Sequence, residues 1–505
     1  VSGGQEELSG LRVLVVGLGV MGRGIARSFA AAGAQVVVAD TDPGTTRAGL
    51  QALVAEAAEP ATLGSVTAGE PADAGRSDLV IEAVVEDMVA KAALLRLIGA
   101  ASAPETVVAT NTSSLSVAEL AAASGVADRF VGLHFFNPPE KMVLVEVVRG
   151  PTTAPWALAF AHRIVTALGK EAVECADSPG FVVNRTCRPL YYEGQLLVAE
   201  GVPVPVVDAV ARFGLGFRMG PLETLDLTGL HVHLAASETA LREFGDPRYR
   251  PLPVVRRLVR AGHTGRAAGR GFYHYAAGRA REQIEGVVQD APPAAPLHVD
   301  GPGAPRWESA GPPPAAGDPA GTAVLYVCGG SATDRDFRSV SELVAAGSPV
   351  VVDSADGRWL DRLPAGAGWM RLHRGPGGVL AEVVHDPDAG RPRPAWTDGV
   401  LGALGARWVE VPALAGLVGD RLRHTVVNEA TLLVEERLAA PGDIDRALRL
   451  GMGHPEGPFE VLDRLGARHV RDSLDALVQA TGDPRYRPSS ILRRWAARQG
   501  LEAVA

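Results

Sequence analysis

Leu11-Arg12-Val13-Leu14-Val15-Val16-Gly17-Leu18-Gly19-Val20-Met21-Gly22 joins an apolar run to three spaced glycines and leads straight into a helical stretch, Arg23–Ala32. The run predicts a buried strand. Gly17 permits a tight turn, Gly19 lets the backbone approach a pyrophosphate, and Gly22 lets helix pack closely on strand. The phosphate then sits at the helix N-terminus. Asp40 ends the next apolar run, 18 residues after Gly22. An acid there accepts hydrogen bonds from ribose hydroxyls and repels a 2′-phosphate, which favours NAD over NADP. Val20 and Met21 lie inside the fingerprint and count with Gly17, Gly19, Gly22 and Asp40 as cofactor contacts. The alternative, a glycine loop that merely packs tightly, has the strand–helix context against it.

The first 150 residues alternate short apolar runs with helical stretches, the pattern of a parallel, Rossmann-type α/β sheet. Expected strands are Arg12–Val16, Gln35–Ala39, Leu79–Ala83, Val107–Thr110 and Arg129–Leu133. Ligands of such sheets bind at the carboxyl ends of the strands. Those ends carry the glycine turn, then Asp40, then Glu86 with Lys91 beyond it, then Asn111-Thr112-Ser113, and finally His134 with Asn137 close behind. His134 is a candidate base because it lies on that edge and because Glu146 follows within the apolar run Val143–Val148. A carboxylate in such a run is costly unless paired, and an imidazole is a natural partner that it would orient. Glu146 facing solvent on an edge strand stays open as the alternative. Asn184, where the helical part begins, could hold a reacting oxygen or be an ordinary surface asparagine.

Charge and composition narrow the class. Lys and Arg total 49 against 58 Asp and Glu, a formal charge of −9, which favours neither nucleic acid nor an anionic membrane. No apolar run has the length of a membrane span, and Val1–Gly10 does not read as a signal peptide. Cys175, Cys187 and Cys328 are scattered, which suits neither a disulfide framework nor a zinc site, so a cytoplasmic chain without metal is expected.

The chain's length implies several domains. The expected boundaries are a Rossmann domain over 1–177, an all-α domain over 178–278, a Pro/Ala/Gly-rich linker over 279–320, a small degenerate α/β domain over 321–410 and a second all-α domain over 411–505. The last is a repeat. Gly245-Asp246-Pro247-Arg248-Tyr249-Arg250-Pro251 recurs as Gly482-Asp483-Pro484-Arg485-Tyr486-Arg487-Pro488, an offset of 237. Upstream, Gly180, Arg185 and Glu193 meet Gly416, Arg421 and Glu429 at an offset of 236.

The stretches G-L-G-V-M-G-R-G-I-A, D-L-V-I-E-A-V-V-E, N-T-S-S-L-S, G-L-H-F-F-N-P, L-V-E-V-V-R-G, S-P-G-F-V-V-N-R and M-G-P-L-E fall in order across residues 11 to 275. Together they resemble the (S)-3-hydroxyacyl-CoA dehydrogenases, and the duplication resembles the long members that act on 3-hydroxyadipyl-CoA. The resemblance implies NAD as cofactor, His134 as base and Glu146 as its partner, with Ser113 and Asn184 holding substrate oxygens. It also implies that Glu86, Lys91, Asn111 and Ser113 lie around the nicotinamide half, and Asn137 is counted with them. It implies a helical domain that normally dimerises. The expected assembly is therefore a monomer with an internal pseudo-dimer, or a homo-oligomer.

Two departures from the pattern matter. Asp420 stands where the first copy has Asn184, and no second His–Glu pair or glycine fingerprint is evident, so the repeat is not expected to be a second active site. Only 46 positions separate Asp40 from Glu86, too few for the helical hairpin that meets the CoA nucleotide in relatives. This keeps a carrier-protein thioester or a free hydroxy acid open beside CoA as the substrate; a non-catalytic NAD-binding scaffold would be favoured only by loss of His134 or Glu146. If that hairpin is cut short, a pantetheine thioester should keep most of the kcat/KM seen with the CoA thioester. Loss of most of the efficiency on removing the adenosine part would overturn this expectation.

Overall fold

The computed structural model describes residues 8–56, 66–275, 280–293, 296–303, 322–328, 332–354, 358–375, 377–386, 388 and 393–502. It divides into two units. One comprises Val1–Thr186 with Glu436–Gly453, the other Cys187–Glu435 with His454–Ala505.

The first unit is built on eight strands: β1 (Arg12–Val16), β2 (Gln35–Ala39), β3 (Val66–Ala68), β4 (Leu79–Glu82), β5 (Val107–Thr110), β6 (Phe130–Phe135), β7 (Leu144–Arg149) and β8 (Glu171–Ala176). Their order is β3-β2-β1-β4-β5-β6-β7-β8. Neighbours run parallel except β6 and β7, which are antiparallel. Strands such as β4 and β5 are buried along their whole length, and both faces of a parallel sheet are covered, so they read as continuous apolar runs. Two strands were not anticipated. β3 is three residues long and largely exposed, and β8 (Glu171–Ala176), at one edge of the sheet, carries two glutamates and buries only Val173 and Cys175.

The boundary expected at 411 does not separate compact units, because the helix Pro441–Met452 belongs to the first unit although it comes from the second helical copy. It packs on β7 and β8. Gly451 is its contact point: a Cβ there would meet Leu144 Cδ2 at 2.9 Å and Val183 Cγ2 at 3.2 Å.

The second unit holds a six-stranded sheet in the order β14-β13-β12-β11-β10-β9. The strands are β9 (Leu297–Asp300), β10 (Ala323–Val327), β11 (Val350–Asp353), β12 (Gly368–Gly375), β13 (Gly378–Val384) and β14 (Arg407–Val411). β9 and a short helix, Ala280–Glu285, lie in the stretch expected to be linker, which is a correction. A four-residue strand between Pro/Ala/Gly-rich flanks carries too little periodicity to be read from sequence, and residues 304–321 lie outside the described residues.

This sheet repeats the first one from β1 onward without β2 and β3. The only antiparallel pair among its ladders is the fourth strand with the fifth, as in β6–β7. Gly301, directly after β9, has φ +94°, and a Cβ there would stand 2.6 Å from Val327 O at the end of the neighbouring strand. Gly17 has φ +102°, and its Cβ would stand 2.6 Å from the Ala83 carbonyl. Among the described residues the small domain therefore follows the topology of the dinucleotide domain, with no counterpart of β2 or β3.

Within the second unit the two helical copies meet through reciprocal contacts. Tyr249 Oη donates to Glu429 Oε1 at 2.5 Å, and Tyr486 Oη donates to Glu193 Oε1 at 2.9 Å. These pairs exchange places under the sequence repeat, as the contacts of an isologous interface do. Arg485 adds bonds from its guanidinium to Arg248 O and Arg250 O at 3.2 and 2.9 Å. A chain ending at Gly321 would lose both this interface and the helix on β7–β8. It should aggregate or pair with a second copy of itself, which light scattering after size exclusion would show. A monomeric, soluble and fully active fragment would contradict the reading.

Candidate active site

The cofactor cradle follows from the glycines. Gly17 cannot carry a side chain against Ala83, and a Cβ on Gly22 would be 1.7 Å from Gly17 O, so both positions admit only glycine. Gly19 has nothing within 4 Å of its Cβ position. It caps the helix Val20–Ala31 with no side-chain cap, so the first amides are left facing open space. That donor set fits a dinucleotide pyrophosphate. Val20 is exposed and Met21 half-buried beside it. Asp40 Oδ2 accepts from Leu18 N at 2.7 Å, so the acid expected at the ribose also fixes the glycine turn.

The edge beyond β4 and β5 is organised by carboxylates. Glu86 Oε1 accepts from Thr112 Oγ1 at 2.7 Å, Ser113 N at 2.9 Å and Ser114 Oγ at 3.0 Å, and so sets the loop that presents Ser113. Burial alone would raise the Glu86 carboxyl, but the Lys91 charge and these donors hold it below its ordinary value. Lys91 is buried, donating to Glu82 Oε1 at 2.6 Å and lying 3.4 Å from Glu86. Glu82, fully buried, also accepts from Thr110 Oγ1 and Val84 N, both at 2.7 Å. The sequence reading passed over Glu82, although an acid inside Leu79–Ala83 is the same signal that singled out Glu146. Asn111 Oδ1 accepts from Phe135 N at 2.8 Å and so ties β5 to the end of β6. Asn137 is exposed just beyond β6.

His134 and Glu146 are direct partners across the β6–β7 ladder. Glu146 is fully buried, which removes the solvent-facing alternative: β8 covers β7 from the other side. Its Oε2 lies 2.6 Å from His134 Nδ1, and its Oε1 accepts from Val182 N and Val183 N at 3.0 and 2.8 Å. Both oxygens of the buried carboxylate are therefore engaged. The two amides come from a tight turn with Gly180 at φ +79° and Phe181 at φ +48°. The Phe181 ring lies 5.6 Å from the imidazole and the Phe136 ring 4.6 Å, which walls the imidazole from water. Asn184 follows at the start of the helix Val183–Ala199, half-buried. With Nδ1 engaged, Nε2 is the atom left to take a proton.

The expectation of no second His–Glu pair is overturned. His373 on β12 lies 2.5 Å, through Nε2, from Glu382 Oε1 on β13. Glu382 accepts from Val418 N and Gly419 N at 2.6 and 2.7 Å, after a turn with Gly416 at φ +82° and Leu417 at φ +49°. The His–Glu spacing is three residues shorter here, which hid it in the sequence. The pair is bonded through the other ring nitrogen, and Asp420, in the place of Asn184, is 2.7 Å from Arg371. Burial opposes ionisation of Asp420, but the Arg371 charge outweighs it and holds the carboxyl well below its usual range. This copy of the hairpin is a buried ionic cluster.

A Rossmann cradle with a carboxylate-held imidazole at its edge defines an NAD-dependent dehydrogenase. Models of the 3-hydroxyacyl-CoA dehydrogenase NAD-binding domain and C-terminal domain match residues 12–178 and residues 180–275 with 416–503. The 3-hydroxyadipyl-CoA dehydrogenase of Escherichia coli is 30% identical over 95% of this chain and 96% of its own length. A probable 3-hydroxybutyryl-CoA dehydrogenase of Bacillus subtilis is 38% identical over 52% of this chain and 97% of its own. The crystal structure of 3-hydroxybutyryl-CoA dehydrogenase from E. coli K12 superposes with a TM-score of 0.76 at 28% identity, covering 98% of this chain and 99% of that one. The chain belongs to the 3-hydroxyacyl-CoA dehydrogenase family. Replacing the expected base tests the site: His134→Ala should lower kcat by roughly two to four orders of magnitude while NADH binding and melting behaviour persist. Near-normal turnover would remove His134 from the chemistry.

Proposed function

We propose that the chain oxidises the 3-hydroxyl of an (S)-3-hydroxyacyl-CoA thioester to the 3-oxoacyl thioester with NAD, or runs the reverse reduction. The observation that carries this reading is the bond between His134 Nδ1 and Glu146 Oε2 at 2.6 Å, with Glu146 Oε1 held by two backbone amides. When bound, NAD supplies the hydride acceptor. His134 Nε2 takes the hydroxyl proton, and Glu146 fixes the ring and stabilises the imidazolium that results. Ser113 and Asn184 hold the substrate oxygens, and Glu86 keeps the Ser113 loop in place through Thr112, Ser113 and Ser114.

A CoA thioester is the handle that the family favours, and no helix among the described residues is long and apolar enough to cross a membrane. Cytoplasmic residence is part of the same reading, since Cys175, Cys187 and Cys328 are buried thiols outside any disulfide. Initial rates with (S)- and (R)-3-hydroxybutyryl-CoA, each with NAD and NADP, test the proposal. The S substrate with NAD should be preferred by at least about tenfold over either exchange: over NADP because a 2′-phosphate would meet Asp40, and over the R substrate because the resemblance is to the (S)-3-hydroxyacyl-CoA dehydrogenases. Equal efficiency with the R substrate, or with NADP, would overturn it.

A further inference from the structure

The turn that supplies both amides to Glu146 is gripped from outside by a segment that belongs to the second helical copy. Arg185, 2% exposed, directs Nη1 and Nη2 to Glu436 Oε2 and Oε1 at 2.5 and 2.7 Å. The same guanidinium donates from Nη1 to Ser178 Oγ at 3.2 Å, at the start of the turn. Arg185 N donates to Gly180 O at 3.1 Å. On the other flank, Ala176 N donates to Leu438 O at 2.9 Å. Residues 436–438 thus hold both ends of the turn whose middle carries Phe181, against the imidazole, and the Val182 and Val183 amides.

We infer that Glu436, contributed by the second helical copy, is a positioning residue for the His134–Glu146 pair, acting through Arg185 and the turn Asp177–Val183. The planar guanidinium donates two bonds to the carboxylate, which fixes orientation as well as distance. Orientation is what the turn has to transmit. Glu146 stays aligned with His134 only while two amides face its other oxygen, and a small displacement of a catalytic group costs rate steeply. Glu436 is half-exposed, so its bridge to Arg185 adds little to stability through charge alone. The duplicate is then part of the working catalytic domain even though its own His–Glu pair is locked away.

The repeat supplies an internal control. Arg421, the counterpart of Arg185, bridges Glu200, the counterpart of Glu436, with Nη2 to Oε1 at 2.9 Å. Glu200→Ala therefore removes the mirror bridge where the structure places no catalysis. The inference rests on His134 as the base, so one measurement is chosen to need no substrate.

In the full-length chain, Glu436→Ala should lower kcat about tenfold, a fraction of what misplacing a catalytic group can cost. KM for NAD and the affinity for NADH should stay within twofold (about experimental scatter). Glu436→Gln, which keeps an oxygen toward Arg185, should recover most of the rate. Glu200→Ala should leave kcat within about twofold, since it touches no group near the chemistry. Hydrogen–deuterium exchange of the peptide spanning Ser178–Arg185 should quicken in Glu436→Ala and not in Glu200→Ala. Unchanged exchange and kcat in Glu436→Ala, or an equal fall of kcat in Glu200→Ala, overturns the inference. Quickened exchange without detectable turnover in the parent chain would instead fault the proposed function and leave the clamp standing.

Discussion

A carboxylate with no access to water is the constraint on which the catalytic unit depends. Glu146 sits inside a sheet, between β6 and β8, where an ionised side chain is tolerable only if its oxygens are fully engaged. One oxygen is met by the His134 ring and the other by the Val182 and Val183 amides. Satisfying the charge therefore dictates three things at once: the antiparallel reversal that brings β7 beside β6, the positive-φ turn at Gly180–Phe181, and the place where the first long helix starts. The groups that make Glu146 bearable are also those that orient the His134 ring.

The same solution occurs twice. His373, Glu382, Val418 and Gly419 repeat it on the second sheet, after a turn of the same shape. Among the described residues that copy shows no counterpart of β2, β3 or Asp40, and Asp420 with Arg371 stands at the position of Asn184. Yet the buried pair is retained there. Removing one member of a buried ionic pair is far more damaging than keeping both, so a structural role is enough to retain it. In this light, duplication gave the chain a permanent partner: the contacts Tyr249–Glu429 and Tyr486–Glu193 are those of a symmetric interface drawn into one polypeptide.

What could be read from the residues alone is the local part of this arrangement. The glycine turn, Asp40, the strand ends and the register of the helical repeat are encoded within a few neighbouring positions, by turn sterics and apolar periodicity. Six of the eight strands of the first sheet follow from such runs, β7 through Val143–Val148, and so does the suspicion about Glu146, because an acid in an apolar run demands a partner. β3, β8 and β9 escaped because they are short or carry no strong apolar pattern.

Tertiary structure alone decided which of those local features meet. That Glu146 is buried rather than solvent-facing depends on β8, whose pairing with β7 is a long-range event. That Lys91 is committed to Glu82, and that Glu86 gathers Thr112, Ser113 and Ser114, depends on the side-by-side order of β4 and β5. The second His–Glu pair was invisible because its spacing differs by three residues from the first, a difference that a diagonal contact across a hairpin absorbs and a one-dimensional repeat does not. The helix Pro441–Met452 reads as part of one helical domain and packs in another unit, because periodicity reports that a helix has an apolar face and says nothing of which sheet will cover it.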